Sequence, residues 1–250
     1  MDRSEQLMRD GTPVGRFHRY DAAPPSAELF EVLVSLESAV EQILTDLPGW
    51  NLTTTDEVLA DALVERGAVP TRHYSLMTID LSAQASWMHI APSNAAYDIR
   101  PLSPDAEIPD EVIGLVRSAY PLGHPDEEIG SDGAILADIR HALAGRRLGP
   151  LMDSSALVFD GGRPVGLVLV NRVPGAAPTG GPWITDVCRD PDPRYAGLGR
   201  TLIVRALSIC RAAGESSVSL AVTQGNIASQ IYDALGFALV ATTRKVRLPG

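Results

Sequence analysis

The stretch Asp190-Pro191-Asp192-Pro193-Arg194-Tyr195-Ala196-Gly197-Leu198-Gly199-Arg200-Thr201 joins a strand-like run to a strongly patterned helix. Gly197 and Gly199 let the backbone come close to a ligand, and the first N–H groups of a helix lack intrahelical acceptors. With the macrodipole added, such a helix start seats an anion, most naturally a pyrophosphate. Arg189, Arg194, Arg200, Arg205 and Arg211 gather positive charge around it in a chain of formal net charge −10. The stretch is neither the dinucleotide fingerprint GxGxxG nor a Walker loop ending in GK[ST]. Taken alone, two glycines at a helix start also suit a plain strand-to-helix turn.

Working outward, the helix runs from Leu198 to Ala213 with Leu202, Ile203, Ala206, Leu207 and Cys210 on one face. Upstream lie a strand at 183–189 and two β-rich runs, Ser155–Phe159 and Pro164–Val173, joined by the hairpin signal Asp160-Gly161-Gly162. Before them come a strand at Tyr97–Leu102 and helices over about 109–120 and 132–145, parted by a Pro/Gly-containing loop. Downstream the pattern predicts a strand at 218–223, a helix at 227–235 and a strand at 237–247. The layout is mixed α/β: hairpin strands first, then strand and helix in alternation.

The second telling stretch is Gly225-Asn226-Ile227-Ala228-Ser229-Gln230-Ile231-Tyr232-Asp233-Ala234-Leu235-Gly236-Phe237. Together the two stretches resemble the GNAT superfamily of N-acetyltransferases. Its acyl-CoA signature [Q/R]xxGx[G/A] is met by Arg194, Gly197 and Gly199. Its second signature is met by Asn226, Ala228, Tyr232, Gly236 and Phe237. The resemblance covers residues 97–250 in element order, and Arg189 departs from the hydrophobic residue usual at its position. It implies a mixed, mostly antiparallel central sheet with helices on both faces, and a cytoplasmic transferase using acetyl-CoA as co-substrate. The cofactor's pyrophosphate would lie on the backbone of Arg194, Tyr195, Ala196, Gly197, Leu198, Gly199, Arg200 and Thr201. Val187, Cys188, Arg189 and Asn226 would border the pantetheine arm, where strands 183–189 and 218–223 splay apart.

An alkylamine is about one part in a thousand neutral at pH 7, so transfer needs a proton acceptor. It also needs donors for the tetrahedral oxyanion and an acid for the departing thiolate. Tyr232, which matches the family's tyrosine, is the expected acid; the alternative is a tyrosine packing beside Ile231 and Leu235. Asp186 is the candidate base or water organiser; a strand-edge acid facing solvent is the other reading. His124, Asp126, Glu127 and Glu128 fall in the expected acceptor loop, where an acidic rim would draw a cationic amine, or simply form a solvated turn. The acceptor is a primary amine of a small molecule or peptide, attacked directly in a ternary complex. The alternative is an inactive acyl-CoA-binding sensor or scaffold.

The front of the chain reads as a worn copy of the same plan. Residues 1–14 are polar and are expected to be a mobile tail. Between Ala27 and Leu47, apolar residues step by threes and fours, which predicts one helix. A strand near 16–21, a strand-like run from Trp50 to Thr55, a helix from Asp56 to Arg66 and an extended run from Ala68 to Leu81 complete a βαβαβ half-domain over 15–81. Residues 82–96 are a linker. In the copy the phosphate turn reads Pro25-Ser26-Ala27-Glu28-Leu29-Phe30 and Leu63 replaces the tyrosine, so neither catalysis nor CoA is expected there. Its uncovered faces would pack on the C-terminal domain or on a second subunit, as in a homodimer.

The 250 residues are 45% apolar and 21% charged, with a mean hydropathy of +0.04, which suits a packed core. The acidic balance argues against nonspecific nucleic-acid binding, and no apolar run is long enough for a membrane span. No secretory signal follows Met1, so the cytoplasm is the expected compartment. Cys188 and Cys210 form no CxxC; neither a metal site nor a disulfide framework is expected.

Overall fold

Strand alternation and glycine punctuation set the element order. The structure, a computed structural model, describes residues 4–20, 24–82, 97–127, 130–146, 148–175, 177 and 179–250. The strands are β1 (Ser4–Arg9), β2 (Thr12–Tyr20), β3 (Ser26–Val32), β4 (Asn51–Thr54), β5 (Val69–Asp80), β6 (Asp98–Pro101), β7 (Ala156–Asp160), β8 (Arg163–Val173), β9 (Gly181–Arg189), β10 (Ser217–Thr223) and β11 (Ala238–Arg247). The helices are α1 (Leu36–Asp46), α2 (Glu57–Glu65), α3 (Glu111–Ala119), α4 (Asp132–Leu143), α5 (Leu198–Ala212) and α6 (Ala228–Leu235). Two compact units result: residues 1–76 with 241–250, and residues 77–240. None of the described helices is long and apolar enough to cross a membrane.

In the 77–240 unit the sheet runs β10-β9-β8-β7-β6, with β9 and β10 parallel and the other neighbours antiparallel. Its strands β7 and β8 are buried on both faces. Ala156, Val158, Val168 and Val170 join the core beneath α5 and α6, whereas Leu157, Phe159, Leu167 and Leu169 join the core beneath α3 and α4. Successive side chains point to opposite faces, so an unbroken apolar run such as Val165–Val170 requires helices on both. This is the mixed, mostly antiparallel sheet that the sequence predicts, and the elements fall within about two residues of their expected bounds.

One polar side chain inside this unit escapes the sequence pattern. Asn171 is fully buried; its Nδ2 donates to the carbonyls of Ala142 and Gly149, both at 2.8 Å, and its Oδ1 accepts from Thr185 Oγ1 at 2.7 Å. It ties the end of α4 to the point where β9 bulges at Thr185. Asn171→Ala orphans one buried and two part-buried groups, so it should lower unfolding stability by about 2 kcal/mol. Denaturant titration checks this, and a loss below about 1 kcal/mol would contradict it.

The other unit has the order β1-β2-β3-β4-β11, with β3 parallel to β4 and α1 and α2 over its core. Three expectations change here. Residues 4–9 are a strand rather than a tail: Asp10 and Gly11, at φ 49° and 79°, make a two-residue hairpin turn into β2. The predicted helix from Ala27 to Leu47 is strand β3 followed by α1, which Ser35 caps by accepting from Ser38 N. Leu29 sits at φ 54° where the β2–β3 register slips. Leu29 in the strand, Leu33 just past it and Leu36 at the helix start nonetheless fall at helical spacing in the sequence. Finally, residues 241–250 belong to this unit, because Arg244–Arg247 pair with Asn51–Thr54, although the sequence reading puts everything after 97 in one domain. The expected linker, 82–96, lies outside the described residues from 83 onward.

Both units repeat one order of elements: β1-β2-β3-α1-β4-α2 in one, β7-β8-β9-α5-β10-α6 in the other. In each, the third and fourth strands are the parallel pair. The strand matching β9 is therefore β3, not the 16–21 run.

Candidate active site

Local chemistry builds the turn between β9 and α5. The Asp190 carboxylate accepts from Asp192 N at 2.9 Å and pairs with Arg163 at 2.8 Å. Asp192 caps the single 3-10 turn Pro193–Tyr195 by accepting from Arg194 N, and its other oxygen lies 3.1 Å from Arg194 Nε. Tyr195 is buried, its hydroxyl donating to Asp160 at 2.8 Å, so this side chain anchors the turn while only its backbone faces the seat. Gly197 then adopts φ 84°, a conformation that favours glycine, and starts α5. A Cβ on Gly197 or Gly199 would meet nothing within 4 Å, so open space faces both. The N–H groups of Leu198, Gly199 and Arg200 precede the first intrahelical bond, Thr201 N to Gly197 O.

The arginines divide by task. Arg189 donates to the carbonyl of Asp190 at 2.6 Å and so braces the turn, while Arg205 reaches the Ser154 carbonyl at 2.9 Å. Arg194 lies over the Tyr195 ring, and the buried Nε of Arg200 has no hydrogen-bond partner. Arg194 and Arg200 are thus the arginines nearest the two glycines in sequence.

The β9–β10 ladder consists of Trp183 with Ser219 and Ile184 with Leu220. Past it the strands part, so residues 185–189, including Val187, Cys188 and Arg189, line the gap. Asp186 follows the Thr185 bulge, and its Oδ1 accepts from the Tyr120 hydroxyl at 2.7 Å. Tyr232, from α6, packs its ring edge-on against Phe237 at 5.7 Å. Burial, then the charges of Asp186 and Asp126, push its hydroxyl well above the usual phenol range. Tyr232 is therefore a proton donor at any working pH, though further from a thiol in acidity than its residue type suggests. Burial and then Asp186 raise the Cys188 thiol, so it offers no thiolate nucleophile.

The acceptor-loop residues form neither an acidic rim nor a plain solvated turn. Asp126 accepts from Thr223 Oγ1 and, at 2.7 Å, from Asn226 Nδ2, so its charge faces inward. Asn226 also accepts from Ala228 N at 2.8 Å and thereby starts α6. Glu127 accepts from Gly123 N, and His124 Nδ1 accepts from Asp126 N. Glu128 lies outside the described residues. Residues 121–127 are thus a loop latched to the end of β10. Asp186, Tyr232 and Asp126 come together; His124 reaches them through its edge contact with Tyr120, ring centroids 5.3 Å apart. Tyr120 itself was not foreseen, because only its position at the end of a helix is visible locally.

The corresponding gap in the other unit is bridged from within. The β3–β4 ladder also stops after two pairs, Ser26 with Asn51 and Ala27 with Leu52. Beyond it Leu29 N donates to Thr53 Oγ1 at 2.8 Å, Thr53 Oγ1 donates to Glu28 at 2.6 Å, and Thr54 Oγ1 donates to the Phe30 carbonyl at 2.9 Å.

Fold and site together define a mixed α/β domain in which a glycine starts a helix beside two parting strands. Residues 120–237 match the model of the Acetyltransferase (GNAT) family. No curated protein matches the sequence. Among solved structures, the chain is similar in fold to a GCN5-related N-acetyltransferase from Sphaerobacter thermophilus, with 16% identity, TM-score 0.61, and 96% of this chain and 79% of that one covered. It is likewise similar to a tandem GNAT protein from the clavulanic acid biosynthesis pathway, with 16% identity, TM-score 0.59, and coverage of 96% and 80%. A GCN5-related N-acetyltransferase from Kribbella flavida aligns at 16% identity and TM-score 0.54, covering 94% and 86%. Residues 120–237 thus form a domain of the GNAT acetyltransferase family, whose chemistry is acyl transfer.

Proposed function

We propose that the chain is an acyl-CoA-dependent N-acyltransferase that uses acetyl-CoA and a primary amine of a small molecule or peptide. The observation that carries this reading is the parting of β9 from β10 beside the glycine start of α5, with Asp186 and Tyr232 bordering the gap. The residues present fit acetyl-CoA: open space at Gly197 and Gly199 and three first-turn N–H groups suit a pyrophosphate. When bound, acetyl-CoA supplies the thioester. The chain's groups then act in one ternary complex. Asp186, directly or through a water, takes the proton from the ammonium so that nitrogen can attack the carbonyl carbon. Backbone N–H groups along 185–189 face the developing oxyanion. As the C–S bond breaks, the Tyr232 hydroxyl donates to the departing sulfur, and the second proton released by the attacking nitrogen returns the phenolate to its neutral form.

The 1–76 unit is read as a degenerate copy that binds no CoA, because Thr53, Thr54 and Glu28 bridge its gap and Ser35 caps its helix. Calorimetric titration with acetyl-CoA, with ADP and NAD as controls, tests both points. One site per chain, not shared by NAD, is the expected result. Two sites would remove the reading of the 1–76 unit, and no binding would remove the enzyme.

A further inference from the structure

Tyr120 ends α3 and reaches 66 residues along the chain to β9. Its single hydroxyl hydrogen is shared between Asp186 Oδ1 at 2.7 Å and the Val187 carbonyl at 3.2 Å. The phenol lies where burial and the Asp186 charge both hold it protonated, so it is a permanent donor. It meets β9 immediately past the Thr185 bulge, where the strand has left β10 and has no ladder partner on that side to fix it. A carboxylate on a short Asp side chain is oriented by two torsions. Fixing one oxygen and the neighbouring carbonyl from a rigid ring sets the plane of the group and the direction of its second oxygen. The ring is itself held, its edge contact with His124 at 5.3 Å linking it to the latched 121–127 loop.

We propose that Tyr120 is a positioning residue for acyl transfer: its hydroxyl aims the Asp186 carboxylate into the β9–β10 gap and ties that aim to the acceptor loop. The proposal rests on the reading of Asp186 as the proton-accepting group. Tyr120 touches neither the thioester nor the amine and acts only through Asp186. Its removal should therefore lower turnover without weakening acetyl-CoA, and should do nothing once Asp186 is disabled.

A double-mutant cycle makes the test: wild type, Tyr120→Phe, Asp186→Asn and the double variant. Turnover is followed as CoA thiol release with a panel of polyamines, aminoglycosides and amino-acid amides. The slow hydrolysis of acetyl-CoA, which uses water in place of the amine, gives an acceptor-independent rate. Calorimetric acetyl-CoA affinity shows that each variant is folded and loaded. Tyr120→Phe keeps the ring and its His124 contact, and is expected to lower kcat about tenfold, the loss of one charge-assisted hydrogen bond, with KM for acetyl-CoA within about twofold. Asp186→Asn should lower kcat more than about 100-fold, and the double variant no further. An unchanged kcat in Tyr120→Phe overturns the proposal. So does an additive double variant, which would make Tyr120 a brace independent of Asp186. A wild-type rate in Asp186→Asn instead overturns the base reading on which the proposal stands.

Discussion

Gly197→Glu should abolish acetyl-CoA binding, weakening it by more than about 100-fold while leaving the fold intact. Gly197 starts α5 at φ 84°, where any other residue is strained by about 1–2 kcal/mol. Its Cβ meets no protein atom within 4 Å, so the strain is the whole penalty to the unliganded chain. The damage falls on the ligand: the new side chain enters the space beside the first-turn N–H groups, and its carboxylate repels a pyrophosphate that those groups would hold. Calorimetry with acetyl-CoA reads the affinity and a thermal melt reads the fold. Wild-type affinity in this variant would remove the seat from the 190–201 turn.

Tyr232→Phe should lower kcat on the order of 100-fold with acetyl-CoA affinity unchanged, the loss expected of one transition-state donor. The ring stays, so its edge contact with Phe237 and its place in the core are kept. Only the hydroxyl is removed. Because burial and the two aspartates hold that hydroxyl protonated, its contribution should persist through the alkaline range, so the variant should show the same fold-loss at pH 7 and pH 9. A loss that vanishes at pH 9 would identify a group titrating in that interval and exclude Tyr232 as the donor.

The 77–240 unit was largely legible because its punctuation is local. Asp160-Gly161-Gly162 turns a hairpin, Gly236 stops a helix, and the leucines of α5 share one face. The front unit was harder because Leu29, Leu33 and Leu36 fall at helical spacing although a strand ends and a helix starts between them. The Asp10-Gly11 turn, by contrast, was a readable signal in a segment that looked too polar to fold. At the site, the glycine turn and Tyr232 could be placed by motif. What could not be read were side-chain partners across 66, 97 and 100 residues: Tyr120 with Asp186, and Asp126 with Thr223 and Asn226. Composition marks Asp126 as a rim acid, yet a carboxylate that meets a hydroxyl and an amide from β10 and the start of α6 is turned inward by them.

The threonine bridges beyond Ala27 and Leu52 bear on how each half of the chain keeps its shape. Two strands that diverge leave peptide groups without rungs, and something must stand in for them. In the 1–76 unit the stand-ins are permanent and encoded: Thr53 and Thr54 splint the opening with their own hydroxyls. In the 77–240 unit the same office would pass to the pantetheine arm, itself a chain of amides, lying between β9 and β10 as a borrowed strand. Loading with acetyl-CoA should then slow amide exchange along 185–189 and leave 28–30 as they were. One half of the molecule would be finished by its sequence, the other by its substrate.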